Sequence, residues 1–232
     1  MFWRNPTAAF FSFILPLLFL FLFGAIFSGD QKTLNVIVPG ILGMSVMSTT
    51  FNALAMNITF LREEGVLKRM HGTPMPPISY LGGVAANAVS NAAVQVVIVV
   101  LAGKLFFGIG WPKDWFELAV FCVVGVSTLA ALGVAFSHVI PNFDAAPAYT
   151  NIVFLPVIFI SGVFYDVDNA PQFLRDVAQV LPLTHIIDGV SAALVTGAPL
   201  ADHAGDLAVV AAWGVVGAVF AVRGFSWQSK RD

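Results

Sequence analysis

The sequence predicts an all-α membrane protein with six transmembrane helices, and three observations carry that reading. Of 232 residues, 58% are hydrophobic and 10% charged, against roughly 25% charged in a soluble domain, and the mean hydropathy is +0.87. Too few charges remain to cover a globule, so lipid must solvate much of the surface. Several charge-free stretches reach the about 20 residues that a helix needs to cross hydrocarbon. Lys and Arg also cluster in alternate connections, the pattern that fixes the orientation of a multi-pass chain. The lone cysteine, Cys122, rules out a disulfide within the chain.

The first span is expected over about 8–28, since no charge falls between Arg4 and Asp30. Pro16 kinks such a helix without ending it. The long apolar run and the lack of a small-residue cleavage site argue against a removed signal peptide. The second span is expected over 34–59, the third over 78–101, the fourth over 118–140 and the fifth over 146–165. Beyond Asp166 the apolar sequence is broken by Pro171, Pro182 and Pro199 and by Asp176, Asp188 and Asp202. That pattern predicts a short amphipathic helix over 172–180, then a segment that dips into the membrane without crossing. Residues 166–205 thus form an outer re-entrant hairpin, its irregular backbone covered by protein or water. The last span, 207–222, is short, about 24 Å at 1.5 Å per residue.

Six crossings make residues 1–232 a single permease domain with both termini on one side. Arg4, Arg62, Lys68, Arg69, Arg223, Lys230 and Arg231 fall on that side, against Lys32, Lys104, Lys113 and Arg175 on the other. The bias makes the first side cytoplasmic, and the chain is expected in the inner membrane. Trp3 and Trp227 at inner ends, and Trp111 and Trp115 at an outer one, fit the interfacial preference of tryptophan; Trp213, inside the last span, does not.

The polar block "REEGVLKRMHGTPMPP" between spans two and three is therefore a cytoplasmic loop over 60–77. Glu64 and Lys68 form a favourable i, i+4 pair, and Gly72 followed by Pro74 is a helix stop. A short helix is expected over 60–70, weakened by Gly65 and without a clean apolar stripe, so a partner surface would supply its cover. A solvated anchor with no partner is the alternative. The stretch "LREEGVLKRMHGTPMPPISYLGG" resembles the coupling segment of type-2 ATP-binding cassette (ABC) exporter permeases. "FLPVIFISGVFYDVDNAPQFLRDVAQVLPLTHIIDGV" resembles the same family's fifth span, outer helix and turn into a re-entrant hairpin.

The resemblance implies a drug-resistance-like efflux permease, as in antibiotic resistance, working beside a second copy or paralogue. ABC ATPase subunits would bind ATP and Mg. Arg62, Glu63, Glu64, Gly65, Lys68, Arg69, Thr73 and Pro74 would engage them, while Pro182, Thr184, His185 and Asp188 shape the re-entrant turn. The family's interface helix before span one is represented only by "MFWRNPTAAFF", so the start is either truncated or its collar reduced.

No G-x-x-x-x-G-K-[ST] phosphate loop occurs here, so ATP must be handled by a separate polypeptide; this chain is expected to bind no cofactor, metal or nucleic acid and to have no catalytic site. Two rival classes stay open. A secondary carrier needs ionisable residues within its spans, and the five longer spans show none in their middles. A membrane-embedded lipid-modifying enzyme needs a polar cluster at one interface; His185, Asp188, Asp202, His203 and Asp206 come nearest, with a spacing that matches no metal or nucleophile motif. The substrate class is a drug, a lipid or another amphipathic molecule, and Phe19, Phe21 and Phe23 face either it or lipid. Ser45, Ser48, Thr49 and Asn52 line one face of span two; Asn87, Asn91 and Gln95 line one face of span three. Asn52 and Asn87 lie at matching depth. Gly82, Gly83, Ala85, Ala86 and Ala88 would allow close approach. The stripes are either interhelical glue or the lining of the inward route.

Overall fold

The computed structural model describes residues 6–71 and 77–224, and every regular element among them is helical. Thr73 and Pro74 lie outside the described residues, as do both termini. Helix α1 (Pro6–Ile26) keeps its course through Pro16. Helix α2 (Gln31–Met47) passes through a π-helical turn, Ser48–Asn52, into α3 (Ala53–Glu63). Asp30 caps α2, accepting from the backbone N–H groups of Lys32 and Thr33 and from the Thr33 hydroxyl at 2.6 Å. Those donors, Thr33 first, hold its carboxyl below the usual carboxylate range.

From Gln31 to Glu63 the chain is one apolar rod of 33 residues, and residues 37–47 of it are buried without exception. It forms the axis of the molecule, with α1, α5 (Pro77–Phe107), α6 (Trp115–Ser137) and α9 (Pro182–Ser191) packed around it. Helix α6 starts on Asp114, whose carboxylate accepts from the N–H groups of Phe116 and Glu117 at 2.8 and 3.0 Å. Helix α10 (Ala204–Gly224) runs along α6 over most of its length. Thr128 of α6 there donates its hydroxyl to the carbonyl of Val210 at 3.0 Å.

Among the described residues, four helical stretches are long and apolar enough to cross a membrane: Gln31–Glu63, Gly82–Phe107, Trp115–Ser137 and Leu200–Arg223. Span two thus begins earlier and ends later than 34–59, and span three runs on to Phe107. The fifth expected span is shorter than the sequence indicates. Helix α7 (Ala146–Ile160) has 15 residues, about 22 Å of rise, and the chain turns at Ser161 instead of continuing to Tyr165. The turn is packed: Gly40 of α2 lies directly against the Val163 backbone, and Phe19 and Phe23 of α1 pack tilted against Phe164 with ring centroids 5.6 and 5.2 Å apart. Those two phenylalanines are interior packing.

Past this turn, α8 (Gln172–Ala178) meets α9 at 89°. Helix α9 continues through a π-helical turn, Ala192–Thr196. At its far end the backbone N–H groups of Lys113 and Asp114 donate to the carbonyl of Ala193. At its near end Leu183 and Ile187 lie against Gly43 in the middle of α2. Helices α8 and α9 thus form a sharply bent pair whose second arm packs into the helix bundle.

Close approach falls on other glycines than the expected ones. Around Gly82 and Gly83 there is open space, whereas Gly133 of α6 lies on the π-helical turn of the α2–α3 rod. A Cβ at Gly133 would stand 2.7 Å from the Phe51 carbonyl oxygen. Gly133→Ala should therefore push α6 off the rod and destabilise the protein by about 1–3 kcal/mol, measured as a lower melting temperature in detergent. Gly82→Ala should melt at or above the parent, gaining up to about 1 kcal/mol from helix preference.

Candidate functional site

At one end of the rod the polar loop proves to be two pieces. Helix α3 continues through Phe60 to Glu63, Gly65 turns at φ +67°, and α4 (Val66–His71) follows. A side chain is strained at that φ, so glycine sets the hinge. The expected single helix over 60–70 is corrected accordingly.

The hinge separates two kinds of residue. Arg62, 3% exposed, donates from one guanidinium nitrogen to the carbonyl of Ser137 at 3.0 Å and from the other to that of Ile140 at 2.6 Å. Glu63 accepts the N–H of Phe143 at 2.7 Å. These two side chains bind α3 to the connection between α6 and α7; neither forms an exposed docking face. Beyond the hinge, Leu67 is fully buried in a small cluster with Ile58, Leu61, Val134 and Ala221, while Glu64, Lys68 and Arg69 are exposed.

In mid-bundle the polar stripes do not bond to one another. Ser45 turns back to the carbonyl of Leu42, and Thr49 to that of Ser45. Asn91 donates to the Asn87 side-chain oxygen within α5 at 2.9 Å. Ser48 and Asn52 are half-buried in the π-helical turn. The Asn52 oxygen and both amide atoms of Gln95, which is 0% exposed, are enclosed without a hydrogen bond.

Beside the rod lies an apolar cavity of about 550 Å³, flanked by Val153 and Val157 of α7 and by Val216 and Phe220 of α10. Leu129, Leu132 and Phe136 of α6 form its floor, and Leu181 to Leu183 at the α8–α9 corner close one end. Trp213 explains its unexpected depth at this corner: its indole N–H donates to the carbonyl of Val180 at 2.8 Å.

The model of the ABC-2 type transporter family matches residues 1–195. The chain belongs to the ABC-2 type transporter family. It is 30% identical to Nodulation protein J of Rhizobium leguminosarum bv. trifolii over 56% of this chain and 49% of that protein. It is 27% identical to the putative transport permease ycf38 of Porphyra purpurea over 81% of this chain and 68% of the relative. With the inner membrane transport permease YadH of Escherichia coli K12 it shares 23% over 67% of this chain and 60% of the relative. The chain thus spans about half to two thirds of the length of these relatives.

Pro182 opens α9, and Thr184 is buried with its hydroxyl unpartnered. His185 pairs with Asp206 at the start of α10, at 2.7 Å, and not with Asp188 three residues on. Its second ring nitrogen donates to the carbonyl of Gln179 at 2.8 Å, and His203 holds the other Asp206 oxygen at 3.0 Å. Sequence reasoning missed Glu117. It sits in the first turn of α6, one residue before the expected span, 0% exposed and with neither carboxylate oxygen partnered.

Replacing Arg62 tests the joint. Arg62→Met should leave two enclosed carbonyls unpaired, at about 1–3 kcal/mol each, and lower the melting temperature of the purified protein. Arg62→Lys cannot fork to both carbonyls and should recover only part of the loss.

Proposed function

We propose that the chain is the transmembrane half of an ATP-driven exporter, crossing the inner membrane six times with both termini and α4 in the cytoplasm. Two permeases form the pathway, and separate ABC ATPase subunits bind α4 from below. The substrate is an apolar or amphipathic molecule, a drug or a lipid. The observation that carries the substrate class is the apolar cavity between α7 and α10, whose volume lies in the range of about 300–1,000 Å³ that holds drug-sized ligands. Transport by this family supports the rest. On this reading the exposed Lys68 and Arg69 meet the ATPase, while Leu67 anchors the helix that carries them. Movement of α4 passes across Gly65 to Arg62 and Glu63, and through their bonds to the α6–α7 connection.

Affinity-tagged chain extracted from its native membrane should retain a polypeptide with a phosphate loop, identified by mass spectrometry. Lys68→Glu with Arg69→Glu should lower that recovery at least ten-fold while insertion of the chain is unchanged. In nanodiscs the ATPase of the parent complex should rise with amphipathic compounds or lipids. Val153→Trp with Val216→Trp, which fills the cavity, should abolish that stimulation in an intact complex. Failure to recover any ATPase overturns the exporter reading; undiminished stimulation in the filled variant overturns the cavity as substrate site.

A further inference from the structure

The polar corner between α9 and α10 has no part in the proposed transport cycle, yet it concentrates charge in a specific arrangement. A nitrogen of His185 and one carboxylate oxygen each from Asp188 and Asp206 lie within 4.8 Å of one another. All three are reachable from solvent: Asp188 is exposed, and His185 and Asp206 are partly so.

The hydrogen bonds around the group set its chemistry. A carbonyl only accepts, so the 2.8 Å contact between His185 Nε2 and Gln179 places a proton on Nε2. In the neutral ring Nδ1 then presents its lone pair to Asp206 Oδ1 at 2.7 Å, an arrangement that is repulsive unless a cation stands there. A proton would serve that one contact, but it leaves the second carboxylate of Asp188 uncompensated beside the first. A divalent ion offsets both. His203, holding Asp206 Oδ2 at 3.0 Å, aims Oδ1 at the same point. The ring N–H on a backbone carbonyl is also the support that metal-bound histidines commonly have.

We infer that His185, Asp188 and Asp206 form a binding site for a divalent transition-metal ion, of which zinc is the representative. One imidazole with two carboxylates suits zinc better than magnesium or calcium, which take oxygen ligands alone. With bonds of about 2.0–2.2 Å, ligand atoms around tetrahedral zinc stand roughly 3.3 Å apart. The widest separation here closes by rotation of the exposed Asp188, and the narrow His185–Asp206 contact opens slightly. Bound there, the ion ties the first half of α9 to the first turn of α10.

The full-length purified chain, stripped with chelator and incubated with zinc chloride, should retain one zinc per chain after gel filtration, measured by plasma mass spectrometry. Its melting temperature should rise with zinc concentration, and magnesium should not reproduce the shift. The Asp188 carboxylate makes no hydrogen bond among the described residues, so Asp188→Asn should fold as the parent and bind zinc at least ten-fold more weakly. Asp202→Asn, a nearby acid outside the group, should bind like the parent. Absence of zinc from the parent, or parent-like binding by Asp188→Asn, overturns the site and leaves the corner as an imidazolium–carboxylate bond.

Discussion

A chain in hydrocarbon has no water to satisfy its backbone, so each place where a helix ends or bends inside the bundle needs a donor or acceptor from elsewhere in the protein. The interior of this molecule is organised around those places. At the end of α6, the carbonyls of Ser137 and Ile140 are met by the guanidinium fork of Arg62. At the α8–α9 corner, the carbonyls of Gln179 and Val180 are met by His185 and Trp213. Where the hairpin returns, the Ala193 carbonyl takes N–H groups from Lys113 and Asp114. In every case the group that satisfies one break belongs to a different element, so the caps also stitch the helices together. A buried Arg and a Trp deep in a span, odd as isolated residues, follow from this need.

The same constraint shapes the cavity. Because α7 stops at Ile160, the side of α6 beyond it is left to the α8–α9 corner, which reaches down to Leu181 and Leu183. Below the corner no helix among the described residues fills the gap between α7 and α10, and Leu129, Leu132 and Phe136 are left as its floor. The short helix, the re-entrant hairpin and the cavity are one arrangement.

What the sequence made legible is the local part of this. Apolar run length located α1, the α2–α3 rod, α5, α6 and α10, and the prolines at 171 and 182 announced the α8–α9 hairpin. Gly65 read only as a weak point within one helix over 60–70, whereas its positive φ makes it the hinge between two. The choice of partner was hidden. Asp188 is the acid three residues from His185, but the acid His185 bonds lies 21 positions away. Arg62 read as a loop charge because its acceptors are backbone carbonyls 75 and 78 positions on, and a carbonyl leaves no mark in sequence. Small residues carry a similar ambiguity: Gly82 and Gly133 are equally small, and only the packing shows which one meets a neighbouring backbone. Glu117 escaped because an acid at the edge of an apolar run reads as the end of the run.

The Arg62 fork has a bearing on protein engineering. Permeases invite modular exchange, in which a polar loop is cut from one chain and spliced into another to redirect it to a new motor. Here the boundary of such a module does not coincide with the loop. The structural unit comprises 60–71 together with 137–143, since the acceptors and donor that Arg62 and Glu63 meet lie on the backbone of a second segment more than 70 positions away. A graft of the first piece alone would transplant one half of a joint, and its fit would depend on how the recipient shapes the connection that follows α6.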